Sequence, residues 1–381
     1  MKKKVFTALG LMTGTSMDGI DLSMIRSDGF SQFSCILNKF YEFDHELQEK
    51  LMTLRDSIFS FKDLEKYSNK ISTLEKEITL FHGNIIKKTI RGYDDQIDLI
   101  GFHGQTIFHD SSQKHSKQLG DGKLLSQITK KIVVNNFREQ DLINGGQGAP
   151  LTPIFHQLIY NLINQKKNFL LPLNIINIGG ITNMTQIFKD GLDNSNLYAY
   201  DIGPGNCLID EWVRKNSKNK FDEDGKLAKS GKVNDLILNQ AIDNFSSQSY
   251  EKSLDIKNFD ISFVKGLSLE DGCATLTKFT AYLIVKGIET INLTNNTYPE
   301  INLICGGGRK NNFLIENIVN YFENKKIRFK NIDDYDLNGD FIESQAFGYL
   351  SIRTFLDLPI SFPRTTRCKS PTVGGTINKN F

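Results

Sequence analysis

Three glycine-rich stretches and one aspartate carry most of the chemistry this sequence offers. The first is Thr13-Gly14-Thr15-Ser16-Met17-Asp18-Gly19. Glycines let backbone N–H groups approach an anion closely, the hydroxyls add donors, and Asp18 can hold a hydrated cation. No Gly-Lys-Ser/Thr follows, so this is not a Walker loop. Lying between two strand-like runs, it is either a hairpin grip on phosphate or simply a tight polar hairpin. The second stretch, Ile178-Gly179-Gly180-Ile181-Thr182-Asn183, occupies the same place in what reads as a second copy of the pattern. The third, Gly306-Gly307-Gly308, lies between an apolar run and a helix pattern, where bare backbone admits a flat base or a ribose. A plain strand-to-helix turn rarely needs three consecutive glycines, which favours the nucleotide reading.

Asp201-Ile202-Gly203-Pro204-Gly205-Asn206 is the sharpest feature. A carboxylate expected at the end of a buried strand, ahead of a rigid Gly-Pro-Gly turn, is held where a general base belongs. The same position also suits an aspartate that merely starts a helix. Glu343, opening the last helix, is a candidate catalyst or a partner for the helix dipole. His103 and Gln105 follow a strand end, while Arg138 and Asp141 precede the loop 144–150. These four either line the sugar side of a cleft or are structural. Phe221-Asp222-Glu223-Asp224-Gly225 begins like a calcium loop but lacks the later ligands, and reads as a solvated turn.

The elements that must position these groups follow from periodicity. Residues 5–10, 20–26 and 30–41 read as strands around the first glycine loop, with a turn at Asp28-Gly29. Helical periodicity covers 46–55 and 61–91, a strand covers 97–102, another 131–135, and a helix 152–164. The second half repeats the order: strands at 174–177, 184–188 and 198–201, a helix to 215, a long helix at 269–290, a strand at 301–305, a helix, a strand at 326–331, and a last helix at 342–356. Strand, glycine loop, strand, strand, then helices and further strands therefore occurs twice. The expectation is an α/β fold of two duplicated lobes, 1–171 and 172–381, facing each other across a cleft. The final helix is a candidate to pack back towards the first lobe.

Bulk properties fit this. A chain of 381 residues exceeds the usual size of one hydrophobic core. A formal net charge of +2 with scattered lysines argues against a nucleic-acid surface. Cys35, Cys207, Cys273, Cys305 and Cys368 are odd in number and never form a CxxC pair, as expected of reduced thiols rather than a disulfide frame or zinc site. No apolar run approaches the roughly 20 residues that span a bilayer. The opening MKKKVFTALGLM looks like the start of a secretory signal, but Thr7 and Gly10 interrupt the run and no Ala-x-Ala site follows. It reads better as a solvated lysine start and a first buried strand, in a protein that stays in the cytoplasm.

With these segments in hand, the chain resembles the anhydro-N-acetylmuramic acid kinase family. GLMTGTSMDGID, GFHGQTIFH, NFREQDLINGGQGAPLTPIFH, NIGGITNMT, YDIGPGNCLIDEW, DEDGKLAKSGKV, ICGGGRKNNFL and ESQAFGYLSIR occur in the family's order from residue 10 to 353. The resemblance implies two actin-like (ribonuclease H-like) lobes with a central ATP and substrate cleft. It implies use of ATP and Mg²⁺ to convert 1,6-anhydro-N-acetylmuramic acid into N-acetylmuramic acid 6-phosphate, with neither nucleic acid nor membrane as partner, and it suggests a homodimer. On the same ground Asp201 is the base acting on water, and Glu343 assists near the anomeric centre or the phosphates. The segment Gly14-Thr15-Ser16-Met17-Asp18-Gly19-Ile20-Asp21 would bind phosphates, with Asp18 on the metal through water. Gly179, Gly180 and Asn183 would support the phosphates, and Gly306, Gly307 and Gly308 would meet the nucleoside. His103, Gln105, Arg138, Gln147, Gly205 and Asn206 would line the sugar, Arg138 taking its lactyl carboxylate. The sequence departs mildly from the family pattern at Thr13, at Ile202 and in the tail 361–375, without losing a catalytic group. A levoglucosan-type kinase is the near alternative. A chaperone-like or actin-like ATP-dependent binding protein is the distant one, and it should carry a peptide-binding or filament-forming region for which the sequence after the last helix leaves no room. A secreted binding module would need the start to be a signal.

Overall fold

The computed structural model describes residues 4–93, 96–189, 196–245, 250 and 252–381. Of the lysine-rich start, residues 1–3 lie outside the described residues, and Lys4 is exposed. The chain opens with β1 (Phe6–Met12), β2 (Gly19–Ser27) and β3 (Phe33–Glu42). Helices α1 (His45–Asp56), α2 (Phe61–Lys66) and α3 (Ser68–Ile90) come next. Then follow β4 (Leu99–Phe102), β5 (Gln105–Asp110), β6 (His115–Leu119), α4 (Gly122–Thr129), β7 (Ile132–Asn135), α5 (Glu139–Ile143) and α6 (Pro153–Lys167). The second half holds β8 (Leu173–Ile178), β9 (Ile181–Ile187), β10 (Leu197–Pro204), α7 (Cys207–Asn216), α8 (Lys226–Ser230), α9 (Asp235–Asn244) and α10 (Leu269–Thr294). It ends with β11 (Ile301–Cys305), α11 (Asn312–Tyr321), β12 (Arg328–Asn331), α12 (Ile342–Phe355), α13 (Pro363–Thr366) and β13 (Thr376–Asn378).

Two sheets carry the same plan. One has the order β3-β2-β1-β4-β7-β13 and the other β10-β9-β8-β11-β12. In each, the first three strands form an antiparallel meander, and the next two lie parallel to the first. Parallel neighbours need helices on the faces, and the central strands are accordingly buried throughout, as in FTALGLM of β1 and LNIINI of β8. A five-stranded sheet of this order, present twice, is the duplicated actin-like α/β fold expected from the sequence.

The chain divides into two compact units, one running to Leu162 and taking up Phe341–Phe381, the other lying between Ile163 and Asp340. The sequence reading placed the boundary between 171 and 172, with the final helix a candidate to pack back towards the first lobe. The difference comes from the C-terminal segment: α12 lies against β1, β2 and β4, and β13 extends the first sheet beside β7. Glycine permits the α12 contact, because a Cβ on Gly10 of β1 would stand 1.8 Å from the Ser344 carbonyl oxygen. Ser23 and Ser344 share a hydrogen bond of 2.7 Å at the same contact.

Three local expectations change. The helix expected over 61–91 is broken at Tyr67 into α2 and α3. Leu64 and Ile71 keep one apolar face in register across the break, so periodicity passes straight through it. The β5–β6 hairpin was not anticipated, since its second strand, HSKQL, is mostly polar. Asp201 does not end its strand: β10 continues to Pro204, and its ladder slips between Asp201 and Gly203. That slip is a β-bulge, which turns a side chain without ending the pairing.

Candidate active site

In the first unit, the loop joining β1 to β2 is pinned from below. Thr13 Oγ1 donates to the Gly104 carbonyl at 2.6 Å, and Gln105 Nε2 donates to the Gly14 carbonyl at 3.2 Å. Arg55 Nη1 donates to the Thr15 carbonyl at 3.1 Å, and Ser16 Oγ donates to Asp18 Oδ1 at 2.6 Å. Met17, in the left-handed region with φ 54°, and Ile20 are core residues, which fixes the loop to the fold. Gly19 is accounted for by packing, as a Cβ there would meet the Tyr41 carbonyl at 2.4 Å. Asp21 stands opposite Met12 in the ladder. What faces outward is Gly14, Thr15, Ser16 and Asp18, and a Cβ on Gly14 would meet nothing nearer than Ser16 Oγ at 3.6 Å.

Beside this loop lies a charged cluster. His103 Nδ1 contacts the Gly104 carbonyl at 2.8 Å, and Arg138 Nη2 contacts His103 Nε2 at 3.0 Å. A carbonyl can only accept and a guanidinium can only donate, so His103 carries its proton on Nδ1 and is neutral. Burial and the adjacent Arg138 charge hold its pKa well below the usual histidine value. Arg138 Nη1 also donates to the Gly148 carbonyl at 2.7 Å, so the guanidinium is fixed in place. Glu343 sits in the first turn of α12, where burial raises its carboxyl pKa and the Arg138 charge pulls it back down. Asp141 is structural: it accepts from Gly148 N at 2.7 Å, Ser361 Oγ at 2.5 Å and Thr366 Oγ1 at 2.6 Å, tying the loop 144–150 to the C-terminal segment. Gln147 is half-buried in that loop, with its N–H on the Thr366 carbonyl.

In the second unit, three glycine segments converge. The β8–β9 turn offers its Gly180 and Gly179 carbonyls to the N–H groups of Gly205 and Asn206, both at 2.8 Å. The hairpin turn and the start of α7 are thus one piece. Next to them, Gly306 has φ 81°, which favours glycine, and a Cβ on Gly308 would stand 2.2 Å from Ile178 Cγ2. Gly307 differs: a Cβ there would meet only Asn206 Nδ2, at 3.8 Å. The protein itself therefore does not require Gly307, and Gly179 is similarly open, with only the Ile181 carbonyl at 3.5 Å.

Asp201 is 8% exposed, and its Oδ2 accepts the Leu254 N–H at 2.8 Å. It pairs across the ladder with Asn183, which pairs with Asn177, so the three share one face of the sheet. The Oδ1 of Asn183 is buried without a partner among the described residues. The turn at 221–225 exposes Phe221, Glu223 and Asp224 as expected, but Asp222 is buried and caps α8, accepting from Leu227 N at 2.8 Å and Ala228 N at 3.0 Å. Sequence reasoning missed Thr13 and Arg309 as props of the loops; for Arg309 the only signal was a cation directly after the glycine triplet.

Among the described residues, no group of three or more His, Cys, Asp or Glu converges to hold a metal. A lone carboxylate on a phosphate-type loop suits a hydrated Mg²⁺ that arrives with a nucleotide, since Mg²⁺ keeps several waters and takes one or two carboxylates.

Duplicated sheets of one strand order, glycine turns after the first strand of each, and a held carboxylate beside one of them are features that suit a phosphate-transferring enzyme. The family model described as anhydro-N-acetylmuramic acid kinase matches residues 6–380, and the chain belongs to that family. Proteins of that name in Pelagibacter ubique (strain HTCC1062), Zymomonas mobilis subsp. mobilis (strain ATCC 31821 / ZM4 / CP4) and Agrobacterium fabrum (strain C58 / ATCC 33970) are similar along their whole length. The first is 53% identical over 382 residues, covering 100% of each chain. The second is 36% identical, covering 97% of this chain and 99% of the relative, and the third 33%, covering 98% and 99%.

Proposed function

We propose that the protein opens 1,6-anhydro-N-acetylmuramic acid with water and phosphorylates it from ATP. The products are N-acetylmuramic acid 6-phosphate and ADP, in the recycling of cell-wall amino sugars. The observation that carries the chemistry is Asp201, a buried carboxylate on a bulge beside the second glycine turn. The family match across residues 6–380 supports the substrate.

Asp201 takes a proton from water as the water oxygen bonds to C1 of the sugar. The C1–O6 bond breaks with oxocarbenium character at C1, and O6 bonds to the γ-phosphorus in line as ADP leaves. Outgoing O6 is captured by phosphorus, so no separate acid is required. Gly14, Thr15 and Ser16 are the first set of phosphate-binding residues, offering backbone and hydroxyl donors, and Gly179, Gly180 and Asn183 are the second set. Mg²⁺, when bound, neutralises phosphate charge, and Asp18 would hold it through water. Gly307, where a Cβ would make only an ordinary contact with Asn206 Nδ2, meets the nucleoside.

The residues assigned to the sugar are His103, Gln105, Arg138, Gln147, Gly205 and Asn206. Arg138, fixed by His103 and Gly148, is the cation for the lactyl carboxylate. Glu343 assists near the anomeric centre. The cytoplasm, where ATP is plentiful, is the location this reading requires; no helix among the described residues is long and apolar enough to cross a membrane. A homodimer rests on the family resemblance alone, and light scattering after gel filtration tests it. The activity is tested by a coupled ADP assay comparing 1,6-anhydro-N-acetylmuramic acid with levoglucosan: turnover should require the muramic substrate, and equal or faster turnover of levoglucosan would overturn the cell-wall reading.

A further inference from the structure

We propose that Arg309 is a positioning residue for the nucleotide, locking the Gly306–Gly308 segment into the shape that receives it. The inference rests on reading that segment as the nucleoside site. Arg309 is 8% exposed, and its guanidinium forks onto Asp333, with Nε to Oδ2 at 2.9 Å and Nη2 to Oδ1 at 3.1 Å. Nη1 donates to Asp340 Oδ1 at 2.5 Å and to the Gly306 carbonyl at 3.0 Å. The same residue is held at its other end, because Gly306 N donates to the Gly339 carbonyl at 3.0 Å. Gly339 N in turn donates to Asp333 Oδ1 at 2.7 Å, and a Cβ on Gly339 would stand 2.5 Å from Arg309 Nε. Gly306 thus keeps its left-handed φ of 81° within a closed ring of hydrogen bonds centred on one guanidinium.

Two features point to positioning rather than bulk stability. The Asp333 and Asp340 side chains are 39% and 29% exposed, so water can solvate them when the arginine is lost, which limits the cost to folding. Against this, only a planar fork reaches two carboxylates and a carbonyl at once, and a lysine ammonium does not reproduce it. Loosening Gly306 displaces Gly307, the glycine whose open side the protein leaves unfilled.

The test is ADP binding by calorimetry together with steady-state kinetics on the full chain, using Arg309→Lys, Asp333→Asn, Asp340→Asn and Gly307→Val, each checked for folding by circular dichroism. Arg309→Lys should weaken ADP about tenfold and raise KM for ATP by the same factor. Its KM for the anhydro-sugar should stay within about twofold, and kcat at saturating ATP should fall far less than kcat/KM for ATP. Each aspartate variant removes one arm and should give a smaller shift in the same direction; these carry the test if Arg309→Lys does not fold. ADP affinities within twofold of the parent in all folded clamp variants, with Gly307→Val still weakening ADP, would overturn the positioning role alone. If Gly307→Val also binds ADP like the parent, the nucleoside assignment of the glycine triplet is what fails.

Discussion

Asp201 accepts the Leu254 N–H and sits at the bulge in β10. Asn is isosteric and can keep an acceptor on that N–H, but it cannot take a proton from water. Asp201→Asn should therefore lower kcat by about 10³-fold or more while ADP affinity stays within about twofold. Near-normal turnover in that variant would remove the base assignment. Arg138 invites a second substitution. Lysine keeps the charge but cannot contact His103 and the Gly148 carbonyl as the guanidinium does, so Arg138→Lys should raise KM for the anhydro-sugar by about tenfold and leave KM for ATP unchanged. An unchanged sugar KM would detach Arg138 from the substrate. The motifs holding Asp201 and the glycine turns were legible because each is contiguous in sequence. The Arg309 clamp was not, because its carboxylates lie 24 and 31 residues away and nothing local marks them as partners.

Among the elements, α12 decides where Glu343 is placed. It approaches β1 so closely that Gly10 has no room for a Cβ, with the Ser344 carbonyl at 1.8 Å and Gly348 N at 2.4 Å from that point. Both obstacles are backbone, which cannot rotate away. Gly10→Val should destabilise the protein by at least about 3 kcal/mol and lower the soluble yield, measurable by urea unfolding. A variant as stable as the parent would mean that α12 does not rest on β1 as described. The paired meanders were readable because strand, glycine turn and strand recur in the same order in both halves. Their flanking β5–β6 hairpin was not readable, since HSKQL lacks apolar alternation and is held by ladder pairing with β5. The break at Tyr67 was hidden for the opposite reason: the apolar register survives it.

Across the molecule, three of the six histidines, His82, His103 and His156, are buried and His109 is half-buried, and all four lie in the first unit. Burial, the first cause in each case, lowers the pKa of His82 and His109 to about 4 and of His156 to about 3, and holds His103 well below its usual value. The unfolded chain therefore binds more protons than the folded one between these values and about 6.5. Their contribution to stability is complete above about pH 6.5 and is lost as pH falls, each group costing about 1.4 kcal/mol per pH unit inside its window. The melting temperature should be nearly level from pH 8 to 7 and fall steeply from pH 6 to 5, followed by circular dichroism; a level profile down to pH 5 would mean that these imidazoles are not held neutral.

The proposed reaction couples opening of an anhydro bridge to phosphoryl transfer from ATP in one protein. Incubation with ATP, Mg²⁺ and 1,6-anhydro-N-acetylmuramic acid in ¹⁸O-labelled water, followed by mass spectrometry of the sugar product, tests it most directly. The prediction is one equivalent of ADP per sugar, with a single ¹⁸O on C1 and an unlabelled phosphate ester at O6. Release of ADP without sugar phosphate, or a phosphorylated sugar that still carries its anhydro bridge, would contradict it.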